Sequence, residues 1–386
     1  MADYFTHDLI FHLIIFQAII LGVVISNIWI TRQTRHHPPP LQLPMVSILI
    51  PARNEEKNIA DCVQSLLAQN YPFFEVLVLD DQSSDGTAEI LQKLAASQPK
   101  LHVLNGKPLP EHVVGKNWAC SQLALQASGE LFLFTDADTR HHPEMLRAAV
   151  TALIGEQADL LTGYPRQLVH TWGERLLVPF FSWVLFSFIP LVLGYRLQLP
   201  ALANAVGQLM LFRRAAYLTI GGHESVSTSV VDDMSLARRI KSARLRWRVV
   251  HIADLVSCRM YHSSREAIDG FTKNLFAVFD YRFFPFLFAF AWLLVMFWAP
   301  LIVMMVAIPS QGLHAQPAAL AACLALSVLL WLIHYVNMGI PFSLALVYPF
   351  TILANVGVAL RSCIYSIGGG LEWKGRQITS RHWKWL

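Results

Sequence analysis

Four acidic clusters recur along the chain, each beside small or turn-forming residues: Glu55-Glu56, Asp80-Asp81, Asp136-Ala137-Asp138 and Asp232-Asp233. An Asp-x-Asp at the end of a strand suits a hard divalent cation, which takes oxygen ligands and usually sits on one or two carboxylates plus substrate phosphates. The chemistry that fits this arrangement is the handling of a diphosphate with a bound cation. Taken by itself, the Asp136 cluster is a weak signal and reads more readily as a solvated loop or as a cap for a helix starting near His141. Asp232-Asp233 likewise reads as a carboxylate pair for proton transfer or as an N-cap for a helix over Met234–Ile240, and one residue can serve both ends.

The elements that must position these groups are legible from periodicity. Met45–Ile50 is a short run of β-formers ending in Pro51, and a helical pattern follows from about Asn58 to Ala68. Glu75–Leu79 reads as a second strand running into Asp80-Asp81, and Leu131–Thr135 as a third running into the Asp136 cluster. Strand, helix, strand in this order implies a parallel βαβ unit. The carboxyl ends of parallel strands are where open α/β sheets bind ligands.

The rest of the chain has a different solvent. Of its 386 residues, 54% are hydrophobic and only 15% charged, against about a quarter charged in soluble domains. Residues 9–30 are an apolar run long enough to cross a bilayer. A basic flank, Thr31 to His37, follows this run, so it reads as a retained anchor rather than a cleaved signal, with that flank in the cytoplasm. Pro38-Pro39-Pro40 then forms a stiff spacer. Residues 176–200 are apolar but interrupted by Pro179 and Pro190, which favours an interfacial segment over a straight span. Candidate spans lie at 284–308, 317–336 and 341–360, within a helical region 284–363 that precedes a basic tail, 364–386. Three crossings after a cytoplasmic domain would put that tail outside, against the positive-inside bias. Either one run fails to cross or the tail breaks the rule.

Other classes are poorly matched. The net charge of +4 is scattered without interleaved aromatics, which disfavours nucleic-acid binding. The five cysteines form no CxxC pair and fit a reducing compartment, and the fifteen histidines have no paired ligand spacing for zinc.

The ordered series Pro51-Ala52-Arg53-Asn54-Glu55-Glu56, Asp80 to Thr87, Gly115-Lys116-Asn117-Trp118-Ala119 and Phe134 to Thr139 resembles family 2 inverting glycosyltransferases. Val230 to Arg239 is similar to that family's acidic catalytic-base motif. Arg259-Met260-Tyr261, Gly270 to Leu275 and Glu372 to Gln377 resemble the carotenoid-acid glycosyltransferase branch. The resemblance implies an α/β fold, a GT-A nucleotide-sugar-binding (Rossmann-like) domain over 45–280, plus transmembrane helices.

The resemblance also implies roles. Pro51, Arg53, Glu55 and Asp81 would cradle the nucleotide, Asp81 accepting from the base imide N–H and so favouring uracil. Asp138 would hold Mg²⁺ or Mn²⁺ against the diphosphate, and Asp136 the ribose or sugar. Lys116 is placed for phosphate or a sugar hydroxyl. Asp233 would be the general base, oriented with the acceptor by Asp232. Processive members carry a Gln-x-x-Arg-Trp motif, which here lines up with Gly270 to Asn274. Lys273 stands for the arginine, a point charge that can still neutralise a leaving diphosphate. That departure favours a single hexose transfer from a nucleotide-sugar, a UDP-sugar for preference, to a lipid-like acceptor at the inner membrane. Gly221-Gly222-His223-Glu224 resembles an acceptor-pocket loop and reads equally as a plain turn. The alternatives are a polysaccharide synthase and a membrane protein that binds a nucleotide-sugar without reacting it.

Overall fold

The computed structural model describes residues 2–310, 317–370, 372–373, 376–377 and 383–386. Seven strands form the central sheet: β1 (Val46–Ala52), β2 (Phe74–Asp80), β3 (Leu101–Asn105), β4 (Leu131–Phe134), β5 (Leu160–Tyr164), β6 (Met210–Arg213) and β7 (Trp247–His251), in the order β3-β2-β1-β4-β6-β5-β7. The first four pair in parallel, and β6 runs antiparallel to both its neighbours. A strand buried on both faces needs no alternation, and Val46, Ile48, Leu49 and Ile50 of β1 are all fully buried. Pro51 costs no ladder bond to β4, because that pairing ends at Leu49↔Phe134. The three strands expected from the sequence are present, and their carboxyl ends deliver residues 51–56, 81–87 and 135–138 to one edge. The helix expected near His141 begins at Met145 instead, because Thr139–His141 pairs with Val256–Cys258 as a strand.

Eight helices matter for the site and its anchoring: α1 (Ala2–Gln33), α2 (Gly115–Gln126), α3 (Trp172–Phe188), α4 (Asp232–Ser242), α5 (Ser264–Asn274), α6 (Phe283–Ser310), α7 (Pro317–Met338) and α8 (Tyr348–Gly368). Four segments, Asp8–Gln33, Phe283–Val306, Pro317–Met338 and Phe342–Gly368, are long and apolar enough to cross a membrane. Apolar surface gives little reason for helices to associate in lipid, so buried polar contacts fix the register. Gln17 of α1 donates to Ser327 Oγ of α7 at 2.9 Å, and Arg32 to Asn337 Oδ1 at 3.1 Å.

Pro179 is carried inside α3, and the chain breaks only at Ile189-Pro190 before a short helix, Leu191–Arg196. Backbone groups freed there need partners. Asn27 of α1 supplies them, donating to the carbonyls of Phe186 and Ile189 at 2.8 and 2.9 Å and accepting from the Leu191 N–H at 2.9 Å.

The described residues of the tail rest against the α/β domain. Lys384 donates its N–H to Tyr281 O and accepts from Phe283 at the start of α6, while Arg376 reaches Asp81. The last apolar run is placed by its two ends. Gly339 lies against Arg166, and Arg361 pairs with Asp269 at 2.8 Å, both in the domain. Between them, the Pro349 carbonyl accepts from Trp298 Nε1 at 3.0 Å, a point roughly 22 Å along α6 at 1.5 Å per residue. Both ends of the run therefore touch the domain, while its middle packs along α6.

Candidate active site

The carboxyl edge of the sheet opens into a cavity of about 860 Å³. Pro51, Arg53, Glu55, Asp81, Lys116, Asp136, Asp138, Asp232, Asp233 and Lys273 all line it. The structure therefore brings together every site residue singled out from the sequence.

The first wall is two interlocked loops. Asn54 and Gln82 take left-handed φ of 52° and 57°, a conformation non-glycine residues rarely hold without support. Cross-bonds supply it: Asn54 N–H donates to Ser83 Oγ, Ser84 N–H to Asn54 Oδ1, and Glu55 N–H to Thr87 Oγ1, all at 2.8–2.9 Å. Arg53 spans the loops, its Nη1 donating to the carbonyls of Asp81 at 2.6 Å and Gln82 at 2.9 Å.

Asp81 is buried and doubly held by Arg376, with Nη1–Oδ2 at 2.5 Å and Nη2–Oδ1 at 3.1 Å. This partner was not assigned from the sequence, where Arg376 was only a letter in a tail motif 295 positions away. A planar guanidinium facing a carboxylate is the strongest geometry such a pair can adopt.

The second wall centres on Lys116. Its Nζ lies 2.8 Å from Asp136 Oδ1 and 3.8 Å from Asp232 Oδ2. Enclosure disfavours the ammonium, but Asp136 and Asp232 outweigh it and push its pKa well up. Gly207 makes room for this pair, since a Cβ there would sit 2.7 Å from Nζ. Neighbouring Asn117, fully buried, donates to the carbonyls of Val226 and Ser229 at 2.8 and 2.9 Å and so ties α2 to the loop that leads into α4.

Neither aspartate of the Asp232-Asp233 pair is the N-cap of α4. Val231 holds that position without a side-chain bond, and both acids stand in the first turn, where the helix dipole favours negative charge. Asp233 Oδ2 accepts from the Gly207 N–H at 3.1 Å and Oδ1 from the Met234 N–H at 2.7 Å. The pair is electrostatically split. Burial raises the Asp233 pKa to about 7, helped by the Asp232 charge beside it. For Asp232 burial works the same way, but Lys116 and then His223 overcome it and hold the carboxyl well below the usual range. Two carboxylates driven apart in this way mark one as the group that exchanges a proton near neutrality.

The two carboxylates of Asp136-Ala137-Asp138 stand at the end of β4 in the same cavity. Among the described residues no cluster of three or more His, Cys, Asp or Glu could hold an ion. The donor set fits a cation that shares its oxygens with a substrate diphosphate, and does not fit a closed protein cage.

The remaining wall is apolar. Val178 and Phe181 of α3 and Phe271 of α5, with Tyr164, Met260 and Val278, face the cavity. α3 is joined to the apolar helices by Ser182, itself in the cavity wall, whose Oγ bonds His334 Nε2 at 3.0 Å, and by Trp183, which stacks on Trp331 at 4.1 Å.

Residues 47–221 match the family model described as Glycosyl transferase family 2. The match is confined to that stretch, a little under half of the chain. The chain is 27% identical over 238 residues to 4,4'-diaponeurosporenoate glycosyltransferase of Staphylococcus haemolyticus, an alignment covering 60% of each chain. It is 38% identical over 130 residues to beta-monoglucosyldiacylglycerol synthase of Trichormus variabilis, covering 33% of this chain and 26% of that one. The chain thus spans less than two thirds of the length of these relatives. A mannosyltransferase of Pyrobaculum calidifontis, solved with GDP-Man and Mn²⁺, superposes with a TM-score of 0.52 at 20% identity, covering 91% of this chain and 99% of that one. That likeness establishes the fold: an α/β domain of GT-A type joined to apolar helices.

Proposed function

We propose that the protein is a membrane-bound inverting glycosyltransferase that moves a single hexose from a nucleotide-sugar, a UDP-sugar for preference, to a lipophilic acceptor such as a carotenoid acid or another lipid. The observation that carries this reading is the two-sided cavity. One side holds Asp81, Lys116, Asp136, Asp138 and the split Asp232-Asp233 pair; the other is the apolar face of α3, which is itself joined to the apolar helices. A binder without chemistry has no use for a carboxylate poised near neutrality.

In the transfer, the acceptor oxygen forms a bond to the anomeric carbon as the bond to the nucleoside diphosphate breaks on the opposite face. The acceptor proton passes to Asp233, whose oxygens are aimed by the Gly207 and Met234 N–H groups. Lys116 and Lys273 offset the charge of the departing diphosphate. Asp81 reads the base, and Pro51, Arg53 and Glu55 wall the nucleotide. Asp136 takes the ribose or sugar, and Asp138 would hold Mg²⁺ or Mn²⁺. A divalent ion there supplies charge neutralisation at the diphosphate. An acceptor presented as a carboxylate has no proton to lose, and for it Asp233 positions the attacking oxygen.

The relatives' printed activities on a carotenoid acid and a diacylglycerol support a lipid acceptor. The basic flank after α1 and the basic tail lie against the domain, which supports a cytoplasmic active site at the inner membrane with one apolar run re-entering rather than crossing.

Membranes containing the protein, given labelled nucleotide-sugars and then extracted, test the reading. Label is expected in the organic phase, dependent on Mg²⁺ or Mn²⁺. Label in long water-soluble chains would establish a synthase instead, and bound but untransferred sugar would leave only a nucleotide-sugar binder.

A further inference from the structure

The turn Gly221-Gly222-His223-Glu224 takes no part in the transfer as written, yet it delivers an imidazole to the back of the aspartate pair. Gly222 adopts φ 50°, ψ −154°, a conformation open essentially to glycine. A Cβ there would also lie 2.6 Å from the Tyr217 ring. The turn thereby folds His223 back over Tyr217, and both side chains are buried, at 1% and 3% exposure.

The neighbours of the ring favour one tautomer. The His223 backbone N–H donates to Tyr217 Oη at 3.0 Å, and the same phenol oxygen shares a hydrogen bond with His223 Nδ1 at 2.9 Å, which leaves the phenol its own proton to give. The neutral tautomer that serves both neighbours carries its N–H on Nε2, so that Nδ1 accepts from the phenol and Nε2 presents a donor to the Asp232 carboxylate. Burial favours that neutral ring. Nε2 faces Asp232 Oδ2 at 3.7 Å, the same oxygen that lies 3.8 Å from Lys116 Nζ. At that range the contact is a directed dipole and not a short hydrogen bond. The Phe134 ring, 4.5 Å from the imidazole, shields it from water.

We infer that His223 is a positioning residue for transfer: with its tautomer set by Tyr217, it aims an N–H dipole at Asp232, keeping that carboxylate anionic and turned toward Lys116, so that Asp233 is the member of the pair that takes the acceptor's proton. This rests on the transferase reading above. The chain of influence is Tyr217 to His223 to Asp232 to Asp233, and only the last touches the reacting atoms.

Three variants test it. His223→Phe fills the ring's volume without a donor, His223→Gln restores a donor of similar reach, and Tyr217→Phe releases the tautomer while keeping the ring. Expected for His223→Phe is a kcat lower by roughly 10- to 100-fold, with donor KM within about threefold of wild type, the split that marks an interaction felt in the transition state. His223→Gln should recover most of that loss. In ¹⁵N spectra of the full-length protein, the resonance missing from His223→Gln should report a neutral Nε2–H ring in the wild type and a tautomer mixture in Tyr217→Phe.

Unchanged kcat in His223→Phe overturns the inference, as does equal loss in the Gln and Phe variants accompanied by a lowered melting temperature, which marks packing alone. A wild-type ring protonated on Nδ1 overturns it as well. Should the wild type transfer no sugar, the functional reading fails, and the ¹⁵N spectra still decide the Tyr217–His223 geometry.

Discussion

The two ends of the cavity hold aspartates in opposite conditions. At the end proposed for the nucleotide, Asp81 is buried against a bidentate guanidinium, its charge matched within 3.1 Å. At the far end Asp233 stands beside a second carboxylate, with Lys116 held between Asp136 and Asp232, and burial pushes it up to about 7. A charge compensated by a bidentate partner is held in fixed geometry and suits recognition. A carboxyl crowded by another is the one ready to accept a proton. The difference teaches that acid count alone does not locate chemistry; the neighbours' charges do.

The largest test of this contrast is Asp233→Asn, which should lower kcat by about 10²- to 10⁴-fold for a hydroxyl acceptor, with donor KM little changed in organic-phase label assays. The same group gives a pH signature. Wild-type activity should rise with pH through about 7 as Asp233 ionises. Stability should move the other way. The fold keeps this proton to higher pH than an unfolded chain, whose carboxyl loses it near 3.8, so between those values the native state binds more protons and stability falls as pH rises. The melting temperature of Asp233→Asn relative to wild type should therefore climb between pH 5 and 8; a flat difference would count against the raised carboxyl.

Lys116→Met comes next, with kcat/KM expected to fall roughly 10- to 100-fold. Lys116 is one of the influences holding Asp233 down, so the acid limb of the pH profile should also move to higher pH. A limb that stays in place would separate Lys116 from the aspartate pair. The smallest effect belongs to the compensated end. Arg376→Ala should raise donor KM by about three- to tenfold, less than 1.4 kcal/mol, and leave kcat within about twofold. A kcat loss matching that of Lys116→Met would erase the distinction between the two ends.

The parts of the site written in local pattern were readable from the chain. Strands β1, β2 and β4 are short apolar runs with acidic punctuation, and their ends carry Arg53, Glu55, Asp81, Asp136 and Asp138 by simple adjacency. Asp232-Asp233 was also visible, although its N-cap reading failed because Val231 holds the cap and both acids fall one step inside the helix. Arg376, Gly207 and Tyr217 left no comparable signal. Arg376 acts across 295 positions, Gly207 through a backbone N–H, and Tyr217 through a glycine turn whose sequence also reads as an ordinary loop.

What the sequence determined by itself was the division of solvents and the inventory of chemistry: an α/β domain with ordered carboxylates, held among helices apolar enough to cross a membrane. Local patterns carry those properties because periodicity and composition are properties of neighbouring residues. The tertiary structure decided which carboxylate is neutralised, which keeps an exchangeable proton, and that Arg376 of the tail reaches Asp81. Each of these depends on distances of a few ångströms between residues remote in the chain, where burial strengthens charge interactions and a partner's presence or absence reverses their sign.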